Sequence, residues 1–381
     1  MFHVPLTGAL KAIDALKDSL TFNLSARRFV AGGGVLPPEL PRSPPLDEWR
    51  RLDYSTTVTR LYQVYESLVH DCVSEWLADL CQLVPYPDLP DEVQVGYRNG
   101  IGYLLQNLDG RRYESLSASA IIREYHAALS GVRGYTLYPD AFLLHDRNLR
   151  VDELAAIFRG CGIKIQIAEW LKQHRISRHD SLVVLGHSSV DRCLVAFVEL
   201  RNEASHATRR VSQVLGEELL IAYADFIRQL SEALVEALTL SSLKWHEEHG
   251  QWSRAGKITF VKTNERAVCV APLESCRVDV GAEIYLVSQN SCRRAVIREL
   301  RVDEQPVQSH TVSATAQEVG LRVDIETFKN WIIYVNSVPP VVAKPALASD
   351  QIQLGADDTD QEQTDTSGGE VDEPDSNENL Q

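Results

Sequence analysis

The sequence predicts a multi-domain α + β protein: an all-α helical bundle, then a small antiparallel β-barrel, then a disordered acidic tail. Three observations carry that prediction. From Leu46 to about Leu240 apolar residues recur at steps of three and four, the period of an amphipathic helix. From about Trp252 to Val335 the texture changes to six short β-branched runs separated by turn residues, the pattern of a small barrel or sandwich. The charge is also lopsided. Across 381 residues, 53 acidic side chains face 38 basic ones for a net −15, but 11 of the acids and no Lys or Arg lie from Leu347 onward. Without that stretch 42 acids face 38 bases, so the body is nearly neutral. A bulk-basic nucleic-acid binder is excluded, and a local basic site is not.

Residues 1–45 read as a helix with Leu10, Ile13, Leu16 and Leu20 on one stripe, followed by the Gly/Pro-rich connector AGGGVLPPELPRSPP (31–45). The helical domain spans 46–245. Its longest early helix, near 55–84, places Val58, Leu61, Tyr65, Leu68, Cys72, Trp76 and Leu80 in one row, and PYPDLPD (85–91) stops it. Further helices are predicted near 92–107, 117–130, 151–160, 164–173, 189–209 and 212–240. The last carries Leu215, Leu219, Tyr223, Phe226, Leu230 and Leu234 on one stripe. The barrel domain, 250–338, contains GKITFV, RAVCVA, EIYLVS, RRAVIREL, EVGLRVD and WIIYVN, and Pro339-Pro340 closes it. The tail, 339–381, is polar, acidic and almost free of aromatics, so it is expected to be disordered.

Seven Cys, an odd number without a CxxC pair, give neither a disulfide framework nor a zinc-knuckle spacing. No window approaches the roughly 18 apolar residues of a membrane span. The protein is therefore expected to be soluble and cytoplasmic, with no membrane partner. No P-loop is present, and no metal or other cofactor is expected. His174, His179 and His187 lack a Cys or carboxylate at ligand spacing. Gly186-His187-Ser188 lacks the Gly of a nucleophile elbow.

The sharpest local feature is LRNEASHA, 200–207, near the end of a helix that a Ser188-x-x-Asp191 capping box would start. Asn202 and His206 are four apart, with Glu199 a turn earlier in the same row, so they share a helix face. Arg201 lies about 140° from His206 around the axis, within reach of a long side chain. Val190, Leu194, Phe197 and Ala204 form the opposite, apolar side. The polar side fits a solvated helix end, where Arg and His favour the dipole. It also fits metal-independent RNA cleavage. A neutral His removes the proton from a 2′-hydroxyl, and its conjugate acid protonates the departing 5′-oxygen. A guanidinium fork meets the phosphate oxygens as their charge grows, and Asn202 fixes geometry without adding charge. One His per chain is thin for both roles, and a two-fold dimer would supply a second.

The Arg-Asn-x3-His signature, at the end of the penultimate helix of an all-α domain, resembles the HEPN superfamily of ribonucleases. VTRLYQVYESLVHDCVSEWL (58–77) and HDRNLRVDELAAIFRGCGI (145–163) resemble the subfamily of prokaryotic defence operons. This is the MAE-type group, close to that associated with ribosomal L-PSP proteins. The resemblance spans roughly 50–240. It implies a homodimeric endoribonuclease with a composite active site, acting on RNA in toxin–antitoxin or antiviral defence, with an antitoxin or other defence-system protein as a further partner. Arg201 and His206 would be catalytic and Asn202 supporting, with Glu199 and Glu66 as candidate polar support. The alternative is a non-catalytic dimerising module that binds RNA or protein, as a sensor or antitoxin.

RVDVGAEIYLV (277–287), AVIRELRVDEQPV (295–307) and EVGLRVDIETFKNWIIYV (318–335) are similar to domain II of translational GTPases, with Ala282 in place of the usual Asp. Arg293, Arg294, Arg298 and Arg301 form the densest basic cluster outside the signature and are candidate RNA-binding residues. A solvated strand face balanced by Glu299 and Asp303 is the other reading.

Overall fold

The computed structural model describes residues 1–34, 44–110, 113–132, 134–143, 148–205, 214–262, 264, 266–312 and 318–337. Among them the helices are α1 (His3–Ala31), α2 (Leu46–Leu83), α3 (Asp91–Gln106), α4 (Ala118–Leu129), α5 (Val151–Gly160), α6 (Ile167–Gln173), α7 (Asp180–Val184), α8 (Val190–Ser205) and α9 (Glu217–Glu248). The strands are β1 (Trp252–Lys262), β2 (Ala267–Pro272), β3 (Cys276–Asp279), β4 (Glu283–Ser288), β5 (Ser291–Val302), β6 (Gln305–Val307), β7 (Ser309–Val312), β8 (Val319–Val323) and β9 (Ile332–Asn336). His206, residues 35–43 of the connector and the acidic tail lie outside the described residues.

The helix α2 is the spine. At 1.5 Å per residue its 38 residues span about 57 Å. The row from Val58 to Leu80 is buried as its spacing predicts. The helix starts nearer the N-terminus than expected, because Pro45 sets the entry angle and Asp47 and Glu48 complement the positive end of the helix. Helices α1, α8 and α9 pack along it. α9 is apolar on several sides, burying Leu230, Leu234, Leu238 and Leu243, because it touches α1, α2, α6, α7, β1 and β5 at once. A buried clip fastens α1: Arg27 pairs with Asp53 of α2 at 2.5 Å and with Glu217 at the start of α9.

The start of α6 and the cap of α8 also differ from the expected ones, for local reasons. The helix expected from 164 starts at Ile167, because α5 ends in a Schellman motif. The Gly162 N–H reaches the Arg159 carbonyl at 2.9 Å, the Ile163 N–H reaches Phe158 at 2.8 Å, and Gly162 takes φ +76°. The cap of α8 is Ser189 rather than Ser188, its Oγ accepting from the Arg192 N–H at 3.3 Å.

The six runs read as strands form a closed antiparallel barrel in the order β4-β9-β1-β2-β8-β5, with β5 pairing back to β4. Strand β6 extends from β5, while β3 and β7 make a separate ribbon. Ile258, Val270, Ile284, Leu286, Ile297, Leu300, Leu321 and Ile333 fill the interior. Bulges in β1 and β5 bend the strands for closure. The outer face of one wall is apolar too: Tyr285, Val287, Cys292 and Tyr334 join the helical core. Helices and barrel thus form one compact unit, Met1–Pro339. Among the described residues no helix is long and apolar enough to cross a membrane.

Candidate functional site

Arg201 lies one turn before the last described residue of α8, where the negative end of the helix favours a cation. Its guanidinium carbon sits 4.4 Å from the centroid of the Tyr62 ring on α2, a cation–π contact. One terminal nitrogen donates to Asn148 Oδ1 at 3.3 Å and to Asn202 Oδ1 at 3.1 Å. Among the described residues its hydrogen bonds go to neutral amides, and it pairs with no carboxylate there.

The supporting shell follows from α2. Tyr62 and Tyr65 bracket one residue of the segment before α5. The Leu149 N–H donates to the Tyr62 hydroxyl at 3.1 Å, and the Tyr65 hydroxyl donates to the Leu149 carbonyl at 3.0 Å. Both backbone groups of Leu149 are satisfied, so Asn148 is held beside Arg201. Tyr65, Tyr62, Phe197 and Tyr223 continue as an aromatic layer with centroids 5.5–6.4 Å apart. Burial raises the Tyr62 hydroxyl, with the Leu149 amide opposing, Glu66 adding to the rise and Arg201 opposing. Tyr65 is pushed well above its ordinary value by burial. Neither phenol is suited to act as a base near neutral pH.

Of the residues named from the sequence, Arg201 and Asn202 come together in this way. Glu66 stands one turn beyond Tyr62 on α2 and acts on it electrostatically. Glu199 is exposed. His206 lies outside the described residues. Tyr62 and Asn148 were not singled out by sequence reasoning; the only available hint was that Tyr62 stands four residues before Glu66 on the same helix face.

The basic cluster on β5 resolves into two kinds of arginine. Arg294 pairs with Glu283 at 2.6 Å, Arg298 with Asp324 at 3.0 Å, and Arg301 with Glu299 at 2.6 Å. The Arg293 side chain is neither ion-paired nor hydrogen-bonded among the described residues. The register pairs Arg293 with Leu286 and Arg294 with Tyr285, on opposite faces of the sheet.

The three-histidine segment has a structural explanation for two members. His174 Nδ1 accepts from the Ile176 N–H at 3.3 Å, and His179 Nδ1 accepts from the Ser181 N–H at 3.2 Å, so each caps the turn that follows it. His174 is fully buried, with Nε2 3.4 Å from Glu236. Glu236 joins α9 to the barrel: it accepts from Arg175 at 2.5 Å, Ser291 Oγ at 2.8 Å and the Cys292 N–H at 3.0 Å. Burial alone would raise this carboxyl, but His174, Arg175 and the Cys292 amide outweigh it and hold it below the usual range. Among the described residues no group of three or more His, Cys, Asp or Glu is placed to hold a metal ion. Comparison of the chain with family models, curated proteins and solved structures finds no match.

Proposed function

We propose that the protein is a metal-independent endoribonuclease of the HEPN type, acting on RNA as a two-fold dimer with a composite site. In this reading His206 takes the proton from a 2′-hydroxyl. O2′ then bonds to phosphorus as the P–O5′ bond breaks, and a protonated imidazole, its own or the second protomer's, supplies the proton to the leaving O5′. The products are a 2′,3′-cyclic phosphate and a 5′-hydroxyl. Arg201 stabilises the charge that grows on the non-bridging oxygens, and DNA, lacking the 2′-hydroxyl, does not react. The setting that the resemblance implies is toxin–antitoxin or antiviral defence, with a regulatory partner protein.

The observation that carries this reading is the presentation of Arg201. A cation stacked on Tyr62, and tied among the described residues to amide oxygens rather than to a carboxylate, is pre-oriented to accept a phosphate. A salt-bridged arginine would have to break its pair first. The test is cleavage of end-labelled RNA in EDTA. Wild type should leave cyclic phosphate ends, and Arg201→Ala and His206→Ala should cut at least about 100-fold more slowly. Intact RNA with wild type, or wild-type rates in both variants, overturns the proposal.

A further inference from the structure

A second basic feature joins arginines from the helical segment before α7 to one on β5. Where the tip of the β4–β5 hairpin meets the helices, a cleft of about 410 Å³ opens, lined by Arg175 and Arg178 on one side and Asn290, Arg293, Phe328 and Trp331 on the other. Asn290 closes its floor by donating to the Gln173 carbonyl at 2.8 Å. Arg175 is neutralised by Glu232 and Glu236. Arg178 and Arg293 have no partner among the described residues, although the other seven arginines beyond Trp252 each have one. The acid on the rim is Glu326.

The aromatic wall is held out deliberately by its loop. Phe328 is 48% exposed, its ring 5.3 Å from that of Trp331. The loop that carries it is pinned at both ends. Asp324 Oδ1 accepts from the Val296 N–H at 2.8 Å, and the Asn330 N–H donates to Ile258 at 2.9 Å with Asn330 at φ +71°. An exposed ring on an anchored loop, beside two guanidinium groups with no partner among the described residues, is a combination that suits single-stranded nucleic acid. The ring stacks on a splayed base, and the arginines meet the flanking phosphates.

We propose that this cleft binds single-stranded RNA, with Phe328 as the stacking platform and Arg178 and Arg293 as phosphate ligands. The choice of RNA rests on the ribonuclease reading above; the single-strand preference rests on the cleft itself. The test uses the full chain and a fluorescent 2′-O-methyl octauridylate, which has no 2′-hydroxyl to react, and reads Kd by anisotropy. Phe328→Ala should weaken binding about tenfold. Arg178→Ala/Arg293→Ala should weaken it further and lower the slope of log affinity against log salt by about 1.4, or about 0.7 for each lost phosphate contact. Arg277→Ala, which removes an exposed arginine paired with Asp279, should bind as wild type and controls for bulk charge. All these side chains are exposed or half-buried, so unchanged circular dichroism shows that the fold survives. No binding by wild type, a double variant within twofold of wild type, equal weakening by Arg277→Ala, or equal affinity for a duplex of the same length each overturns the proposal. Failure here with intact Arg201-dependent cleavage sinks the cleft alone, whereas loss of cleavage dependence on Arg201 sinks the enzymatic reading.

Discussion

Replacing Tyr62 separates the ring under Arg201 from the hydroxyl that holds Leu149. The two bonds from Arg201 to Asn148 and Asn202 share one nitrogen and are 3.3 and 3.1 Å long, so each contributes about 0.5–1 kcal/mol. The half-buried cation–π contact at 4.4 Å is worth about 1–2 kcal/mol. The ring therefore supplies roughly half of what orients the guanidinium. Tyr62→Leu removes it, and if that orientation is used in the transition state the cleavage rate falls about 5- to 30-fold, with the loss in kcat rather than KM. Tyr62→Phe keeps the ring and deletes the acceptor for the buried Leu149 N–H. It should cost about 1–2 kcal/mol of stability and leave the rate within about threefold of wild type. Urea unfolding followed by circular dichroism, with single-turnover cleavage of the same preparations, measures both. Equal rate losses in the two variants, or wild-type cleavage by Tyr62→Leu, would refute the positioning role of the ring.

Glu236→Gln should destabilise the chain by about 2–4 kcal/mol at pH 7, since a buried carboxylate with four partners becomes a neutral amide that cannot satisfy them all. The folded Glu236 carboxyl titrates below its unfolded value, so its stabilisation is complete above the unfolded pKa and is lost as pH falls through the folded one. The gap between wild type and Glu236→Gln in urea should therefore close on acidification; a gap independent of pH would show that the charge does not matter. Gly100→Ala tests a close approach of α3 to the turn at Pro139–Ala141. A Cβ there would lie 1.8 Å from the Ala141 carbonyl oxygen, so the backbone must move, and a loss of at least about 2 kcal/mol is expected. Thermal unfolding at the wild-type midpoint would contradict it.

The barrel was legible in the sequence because each of its six closing strands is long enough to show its pattern, and the turns between them carry Gly, Asn, Asp or Pro. The missed strands β3, β6 and β7 have three or four residues each, too few for a period to emerge. The wall that packs on the helices was legible only as apolar residues. Tyr285 and Val287 sit on the opposite face from Ile284 and Leu286, and only the second face belongs to the barrel interior. A strand buried on both faces reads as a continuous apolar run, which tells nothing about what covers the outside. Likewise the start of α6 depended on the Schellman stop at Gly162, which overrides a helical pattern continuing past it.

Residue type made the candidate site half legible, and partners supplied the rest. Arg201 and Asn202 are adjacent in the chain, but Asn148 is 53 residues away and Tyr62 stands on another helix. On β5 the sequence offered Glu299 and Asp303 as balancing acids. Glu299 does pair with Arg301, but Asp303 occupies the turn after β5 at φ +48°, and the remaining acids come from elsewhere, Glu283 on β4 and Asp324 beyond β8. Basic density along a strand is therefore a poor guide to where a phosphate would bind in this protein. A guanidinium already bonded to a carboxylate must surrender that pair to take a phosphate, and the exchange gains little net energy. Unpaired arginines set on aromatic or anchored surfaces face no such exchange. By that criterion Arg201, Arg178 and Arg293, which pair with no carboxylate among the described residues, are the positions to substitute first, and Arg294, Arg298 and Arg301 serve as their controls.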